Sequence, residues 1–295
     1  MKETIKRIGI IGGSGLGQVL GEQTQGDVHD LETPFGTPSA PIVLSELEGV
    51  PIAFLNRHGA GHMLNPSSVP YQANIYALKM LGVTHIIASG AVGSLVEEIA
   101  PRDLVVPDQV IDKTFKRQNS FFHDELAVHV DFAYPFCEQL RQLLLGATAS
   151  VDTKVHESGT YVCMEGPQFS TRAESLLHRQ WGAHLIGMTC MPEAKLAREA
   201  EICYALVALP TDYDCWRPHE GDSDKHALMT EIISNLEAAT ENAIKLLKAA
   251  IGKAAPLLAC DCEHHKALKL GIWSDKNRIT DPQFHKLKIL IEKHL

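Results

Sequence analysis

Ala205-Leu206-Val207-Ala208-Leu209-Pro210 empties directly into Thr211-Asp212-Tyr213-Asp214-Cys215-Trp216. An unbroken apolar run ended by two carboxylates one residue apart predicts a buried strand whose C-terminal end presents paired acids. In open α/β sheets that end is where ligands bind. Two such acids can hold a protonated ring nitrogen and accept from an exocyclic amine, which suits a heterocycle that must be protonated as it leaves. The competing reading is a strand-end turn with solvated acids, because Asp is common in turns.

Outward from this strand, β-branched apolar runs alternate with longer helical periods. Strands are predicted at 8–12, 51–55, 84–89, 104–107, 159–164, 184–188 and 202–209, and helices at 70–81, 134–146, 171–181, 192–201 and 226–252. That order is α/β. No repeat or low-complexity linker interrupts residues 1–252, which read as one domain. From Ala254 to Leu295 the chain becomes rich in Lys and His and ends in an amphipathic stretch, Pro282 to His294, read as an appendage with a surface helix.

Bulk properties exclude several function classes. A net charge of -9, with no basic run interleaved with aromatics, argues against a nucleic-acid surface, so any anion must be bound locally. No window approaches the roughly eighteen apolar residues of a membrane span. The start, Met1 to Gly13, reaches its glycine pair too soon for a signal-peptide core, so a cytoplasmic location is expected. Five of the seven cysteines lie singly in apolar segments as core thiols, whereas Cys260-Asp261-Cys262 is followed by Glu263-His264-His265. That cluster could bind metal or change redox state, but the two-residue spacing of zinc ligands is missing, and no metal is expected.

Other strand ends supply anion-compatible groups. Gly12-Gly13-Ser14-Gly15-Leu16-Gly17 fits neither common nucleotide motif: Gln18 stands where the third glycine of GxGxxG is needed, and no Lys follows Gly17. What remains is a glycine loop with one hydroxyl, suited to a single phosphate, or a tight turn without ligand. Arg57-His58-Gly59-Ala60-Gly61-His62 could close on the same phosphate; two histidines four apart could bind metal on a helix, but the glycines between them disfavour one. Ser89-Gly90-Ala91-Val92-Gly93-Ser94 is a second small-residue loop, and Met188-Thr189 adds a hydroxyl. Glu165-Gly166-Pro167-Gln168-Phe169-Ser170 offers an aromatic face beside a hydroxyl, although Phe169 alone would more often be core.

Taken together these segments resemble the methylthioadenosine phosphorylase branch of the trimeric purine nucleoside phosphorylase family. The likeness runs through residues 8–15, Arg57 to His62, 70–79, Met164 to Ser175, 188–197 and 211–216, in one order over about 7–250. It implies a single nucleoside phosphorylase domain over 1–253, with a central mixed β-sheet flanked by helices, followed by a 254–295 appendage, and assembly as a homotrimer or homohexamer. The implied reaction is phosphorolysis: phosphate attacks C1′ of a purine nucleoside, releasing the base and a sugar 1-phosphate. No cofactor is implied, phosphate being a co-substrate. By motif, Ser14, Arg57, His58, the Ala91 backbone and Thr189 would hold phosphate. Met188 would lie against the ribose, Phe169 would stack on the purine, Asp212 would supply or stabilise the N7 proton, and Asp214 would accept from the 6-amino group. His129, contributed by a neighbouring subunit, together with Leu228 and Met229, would enclose a 5′-methylthio group.

Substrate choice follows from two positions. The 6-oxopurine enzymes of the same family place Glu near Ser170 and Asn at Asp212. An ionised Asp only accepts, so it pairs with an amino group and opposes a 6-oxo group. Methylthioadenosine is the expected substrate. The alternatives are a methylthioinosine or general purine nucleoside phosphorylase and, from another class, a nucleoside-binding protein without turnover. Two departures bear on this: Gly90 stands where relatives often carry a phosphate-contacting Thr, and Lys225 falls near an apolar pocket position.

Overall fold

The computed structural model describes residues 5–16, 20, 25–217 and 225–295. Its strands are β1 (Arg7–Gly12), β2 (Asp27–His29), β3 (Ile42–Leu47), β4 (Val50–Asn56), β5 (Val83–Ser94), β6 (Leu104–Val105), β7 (Gln109–Lys113), β8 (Val155–His156), β9 (Thr160–Met164), β10 (Leu185–Gly187) and β11 (Cys203–Asp212). The helices are α1 (Tyr71–Met80), α2 (Glu138–Leu145), α3 (Arg172–Gln180), α4 (Cys190–Glu199), α5 (Lys225–Ile251), α6 (Ala255–Leu258) and α7 (Asp281–Ile291). No described helix is long and apolar enough to cross a membrane.

All the strands join one mixed sheet in the order β2-β3-β4-β1-β5-β10-β9-β7, with β11, β6 and β8 branching from β5. The long strand β5 is its spine. Its first half runs parallel to both β1 and β11, and its end turns antiparallel to β10. Continuous apolar sequence in β11 follows from this position, because a parallel strand covered on both faces has no polar side to show. The period of two then divides each run between two cores. Tyr204, Leu206 and Ala208 face one core with Ile11, Leu55, Ile86 and Ala88, covered by α1 and α4. Cys203, Ala205, Val207 and Leu209 face the other with Ile8, Ile10, Phe54 and Ile87, covered by α2 and α5.

The segment after residue 253 contributes to both cores. Leu268, Leu287, Leu290 and Ile291 are buried with α1 and α4, and Cys262 is buried beneath α2 and α5. In α7 the buried residues fall three to four apart, the stripe that the amphipathic pattern predicts. The outer strands β2 and β3 and the edge strand β7 lack a clean apolar run, and the sequence reading passes over all three.

Candidate active site

Three chain segments meet where β1 and β4 end beside the middle of β5. A Cβ built on Gly13 would lie 2.5 Å from the Ser89 carbonyl oxygen and 2.6 Å from Arg57 Nη1, so only glycine lets the loop pass this close. The Gly13 amide reaches Ser89 Oγ at 3.4 Å, and the Arg57 amide donates to the Gly12 carbonyl at 3.0 Å. Ser14 sits half-buried at the head of the loop, while Gly17 and Gln18 lie outside the described residues. On the far side, Thr189 closes the group: its Oγ1 would be 3.3 Å from a Cβ on Gly90.

Arg57 is fully buried and differs in its bonding from the sequence reading. Its Nε and Nη2 donate to the two Glu193 carboxylate oxygens at 2.7 and 2.9 Å, and Nη1 donates to the Ser89 carbonyl at 2.7 Å. Burial alone would lower its pKa, but the Glu193 pair outweighs it and holds the guanidinium above its ordinary value. Of five guanidinium N–H groups, three are thereby engaged and two remain for a ligand. Glu193 also accepts from the Tyr204 hydroxyl at 2.8 Å.

His58 stacks on His62 with ring centroids 4.2 Å apart, and its Nδ1 lies 2.8 Å from the Leu64 carbonyl oxygen. That contact makes Nδ1 the N–H and leaves Nε2 as an acceptor. Burial, reinforced by the Arg57 charge, pushes the ring's pKa down to about 4. The imidazole is therefore neutral at pH 7 and can take a hydrogen bond from a protonated phosphate oxygen.

The paired acids lie farther along the same spine. Asp212 stands opposite Gly93, and a Cβ on Gly93 would be 3.3 Å from Asp212 Oδ1 and 3.2 Å from Asp214 Cβ. The Asp212 carboxylate accepts from the Thr211 hydroxyl and the Asp214 amide, both at 2.7 Å. Asp214 takes a left-handed backbone, φ 47°, and its Oδ2 is buried with no hydrogen-bond partner. These are not solvated turn acids. From Gly90 to Gly93 is three residues of strand, about 10 Å, so one strand separates an anion subsite from an acid pair.

Met188 is held from both sides. Its sulfur would be 2.6 Å from a Cβ on Gly166, which has φ +70°, and its carbonyl accepts from Arg117 at 2.6 Å. Arg117 also donates to the carbonyls of Met191 and Glu165, at 2.6 Å each, fixing the 164–170 loop against α4. That loop meets the acid turn where Cys215 Sγ reaches the Ser170 carbonyl at 3.3 Å. Phe169 is 82 % exposed, contrary to a core position. Asn235 on α5 supports the acid-bearing strand by donating to the Thr211 carbonyl at 2.8 Å.

The remaining positions stand apart. Leu228 is half-buried and Met229 is 55 % exposed on the first turns of α5, while the Lys225 side chain lies outside the described residues. His129 is exposed, with its ring 4.5 Å from that of Trp273 and its amide on the Gly271 carbonyl. Sequence reasoning missed Glu193, Arg117 and Asn235 as site-building residues. Glu193 and Asn235 are polar groups beside apolar neighbours, whereas Arg117 sits in the polar run Lys113 to Ser120 and carries no local signal.

Comparison with known proteins accords with this geometry. Residues 7–252 match the model of the phosphorylase superfamily. An S-methyl-5′-thioadenosine phosphorylase of Gloeobacter violaceus is 47% identical over 296 residues, covering 98% of this chain and 96% of that protein. One of Cereibacter sphaeroides is 53% identical over 232 residues, covering 79% and 80%. Among solved structures, a methylthioadenosine phosphorylase from an antarctic soil metagenomic library superposes with a TM-score of 0.87 at 46% identity, covering 98% of this chain and 99% of that one. The Schistosoma mansoni methylthioadenosine phosphorylase, solved in complex with adenine, gives 0.81 at 34% identity, covering 90% and 99%. The chain belongs to the phosphorylase superfamily.

Proposed function

We propose that this chain catalyses the phosphorolysis of S-methyl-5′-thioadenosine to adenine and 5-methylthioribose 1-phosphate. The observation that carries the reading is the acid pair on Gly93, one short stretch of β5 away from the loop where Gly13, Arg57 and Thr189 converge. Phosphate sits over Gly13 and Ser14, accepts from the Thr189 hydroxyl, the Ala91 amide and the two remaining Arg57 N–H groups, and hydrogen-bonds through its own O–H to His58 Nε2. The sugar passes through an oxocarbenium-like state, so an anion held against C1′ stabilises it as the bond to the base stretches.

Asp212 holds N7 and, taking up a proton from solvent as the bond to the base stretches, passes it to N7 so that adenine leaves neutral, a role worth roughly 10²–10⁴ in rate. Asp214 Oδ2, buried and unpartnered, accepts from the 6-amino group. Met188 lies along the ribose, and Phe169 is covered when it stacks on the purine beside Ser170. Leu228 and Met229 close around the methylthio group with His129 from a neighbouring subunit of a homotrimer; His129 is exposed and so free to reach across such a contact. Phosphate is the co-substrate, no cofactor enters the reaction, and the enzyme acts in the cytoplasm in purine and methionine salvage.

The test is parallel phosphorolysis of methylthioadenosine, adenosine, methylthioinosine and inosine, with and without phosphate. Phosphate-dependent release of adenine, fastest from methylthioadenosine, is the expected result. Preference for the 6-oxo substrates would overturn the role given to Asp212 and Asp214, and binding without release would mark a nucleoside-binding protein.

A further inference from the structure

We propose that Cys137, Cys203, Cys262 and His264 form a structural site for one zinc ion that fastens residues 254–295 to the sheet. One ligand atom from each of the four lies within 4.8 Å of all the others. The four come from three distant segments: Cys137 just before α2, Cys203 at the start of β11, and the Cys262-x-His264 step of the tail. Spacing along the chain does not bring such a set together. Short linear motifs reveal zinc only when paired ligands share a turn.

The geometry suits a tetrahedron. Zinc–sulfur bonds of about 2.3 Å place ligand sulfurs about 3.8 Å apart, and Cys137 Sγ lies 3.7 Å from Cys262 Sγ. The three thiols are 0 %, 0 % and 6 % exposed, so no position is open to water or substrate, as a structural rather than catalytic ion requires. His264 Nδ1 is buried without a hydrogen-bond partner and supplies the fourth ligand. Thiolate donors select a soft cation over calcium or magnesium. A second group, His85, Cys203 and His265, shares Cys203 but offers only three ligands, so the four-ligand set is the one that closes.

Charge and protons balance. Three thiols lose their protons to solvent on binding, and three thiolates with a divalent cation leave one net negative charge. Arg198 stands beside it, with Nη2 2.9 Å from His264 Nε2. Ligation through Nδ1 puts the ring proton on Nε2, so Arg198 releases the ring and keeps its bonds to the carbonyls of Asp131 and Tyr134. The site lies at the opposite end of β11 from Asp212, nine residues or about 30 Å away. It therefore acts on stability and takes no part in proton transfer to the base.

The experiment is elemental analysis of the full chain, purified from zinc-supplemented medium without a metal-affinity tag, alongside C262S, H264A and C260S. The expected result is one zinc per chain in the parent and in C260S, whose sulfur is outside the set. In C262S, and in H264A should C262S fail to fold, zinc is lost or falls well below one per chain. Cobalt reconstitution of the parent should give thiolate-to-cobalt absorption, and chelation should lower Tm in the parent but leave H264A unmoved. A metal-free chain whose intact mass is two or four hydrogens light would show disulfides in place of a metal site and overturn the proposal. So would a metal-free chain with all seven thiols titratable.

Discussion

Glu193 determines whether Arg57 can serve an anion at all. A guanidinium buried without a partner would carry an uncompensated charge beside the glycine loop, and breaking such a pair from one side costs about 3–5 kcal/mol. Glu193→Ala is therefore expected to lose that amount in urea unfolding, whereas a loss below about 1 kcal/mol would mean that Arg57 finds other acceptors. The effect of Asp212→Asn belongs to chemistry instead. It should lower kcat/KM on 6-aminopurine nucleosides by far more than on 6-oxopurine nucleosides, and equal losses on both would count against base reading by this carboxylate. The two residues also differ in how far they could be read from sequence. Asp212 follows an apolar strand and is visible there; Glu193 stands in a string that carries the family resemblance, but its partner is 136 residues away, and nothing local says that it faces Arg57.

At the scale of an element, β5 serves two subsites along its length, one beside β1 and one beside β11, and glycine at two points sets how closely each is approached. Against Gly13, the obstacles to a Cβ are the Ser89 carbonyl and the Arg57 guanidinium; against Gly93 they include Asp214 Cβ and Asp212 Oδ1. Gly13→Ala is thus expected to raise KM for phosphate by about tenfold or more, ~1.4 kcal/mol, with little change in KM for the nucleoside. Gly93→Ala should do the reverse, and steady-state kinetics with each substrate varied in turn separate them. If both variants shifted both constants together, β5 would not divide the site. The strands that build this spine were legible because a doubly covered parallel strand is an apolar run bounded by turn residues. The β2–β3 edge was not, since an edge strand with one solvated face and a short span leaves a pattern no stronger than a loop's.

For the molecule as a whole, the tail shows where sequence reading stops. Its helix follows from spacing, but the burial of Leu268 and Leu290 against α1 and α4 depends on contacts that no local pattern encodes. Acid stability is another property of the assembled chain. Glu165 is pulled down to about 2: burial would raise it, but donation from Ser67 and the Phe115 and Lys116 amides, together with Arg117, outweighs that. Its contribution is complete above its ordinary 4.5 and is lost as pH falls towards 2. His58, lowered from 6.5 to about 4, likewise loses stability as pH falls through that window. Glu199 has the opposite sign. Burial on α4 raises it from 4.5 to about 7, even though it accepts the Phe121 amide at 2.7 Å. A raised folded-state pKa gives stability that is complete below 4.5 and lost as pH rises through 7. Between 4.5 and 6.5 Glu199 and His58 therefore oppose each other, and each masks the other's slope. Removing the carboxylate should expose it: Tm of Glu199→Gln, measured against the parent from pH 4.5 to 8, should gain on the parent steadily up to about 7 and then level off. A difference that stays constant across the range would mean that Glu199 ionises alike in the folded and unfolded chain.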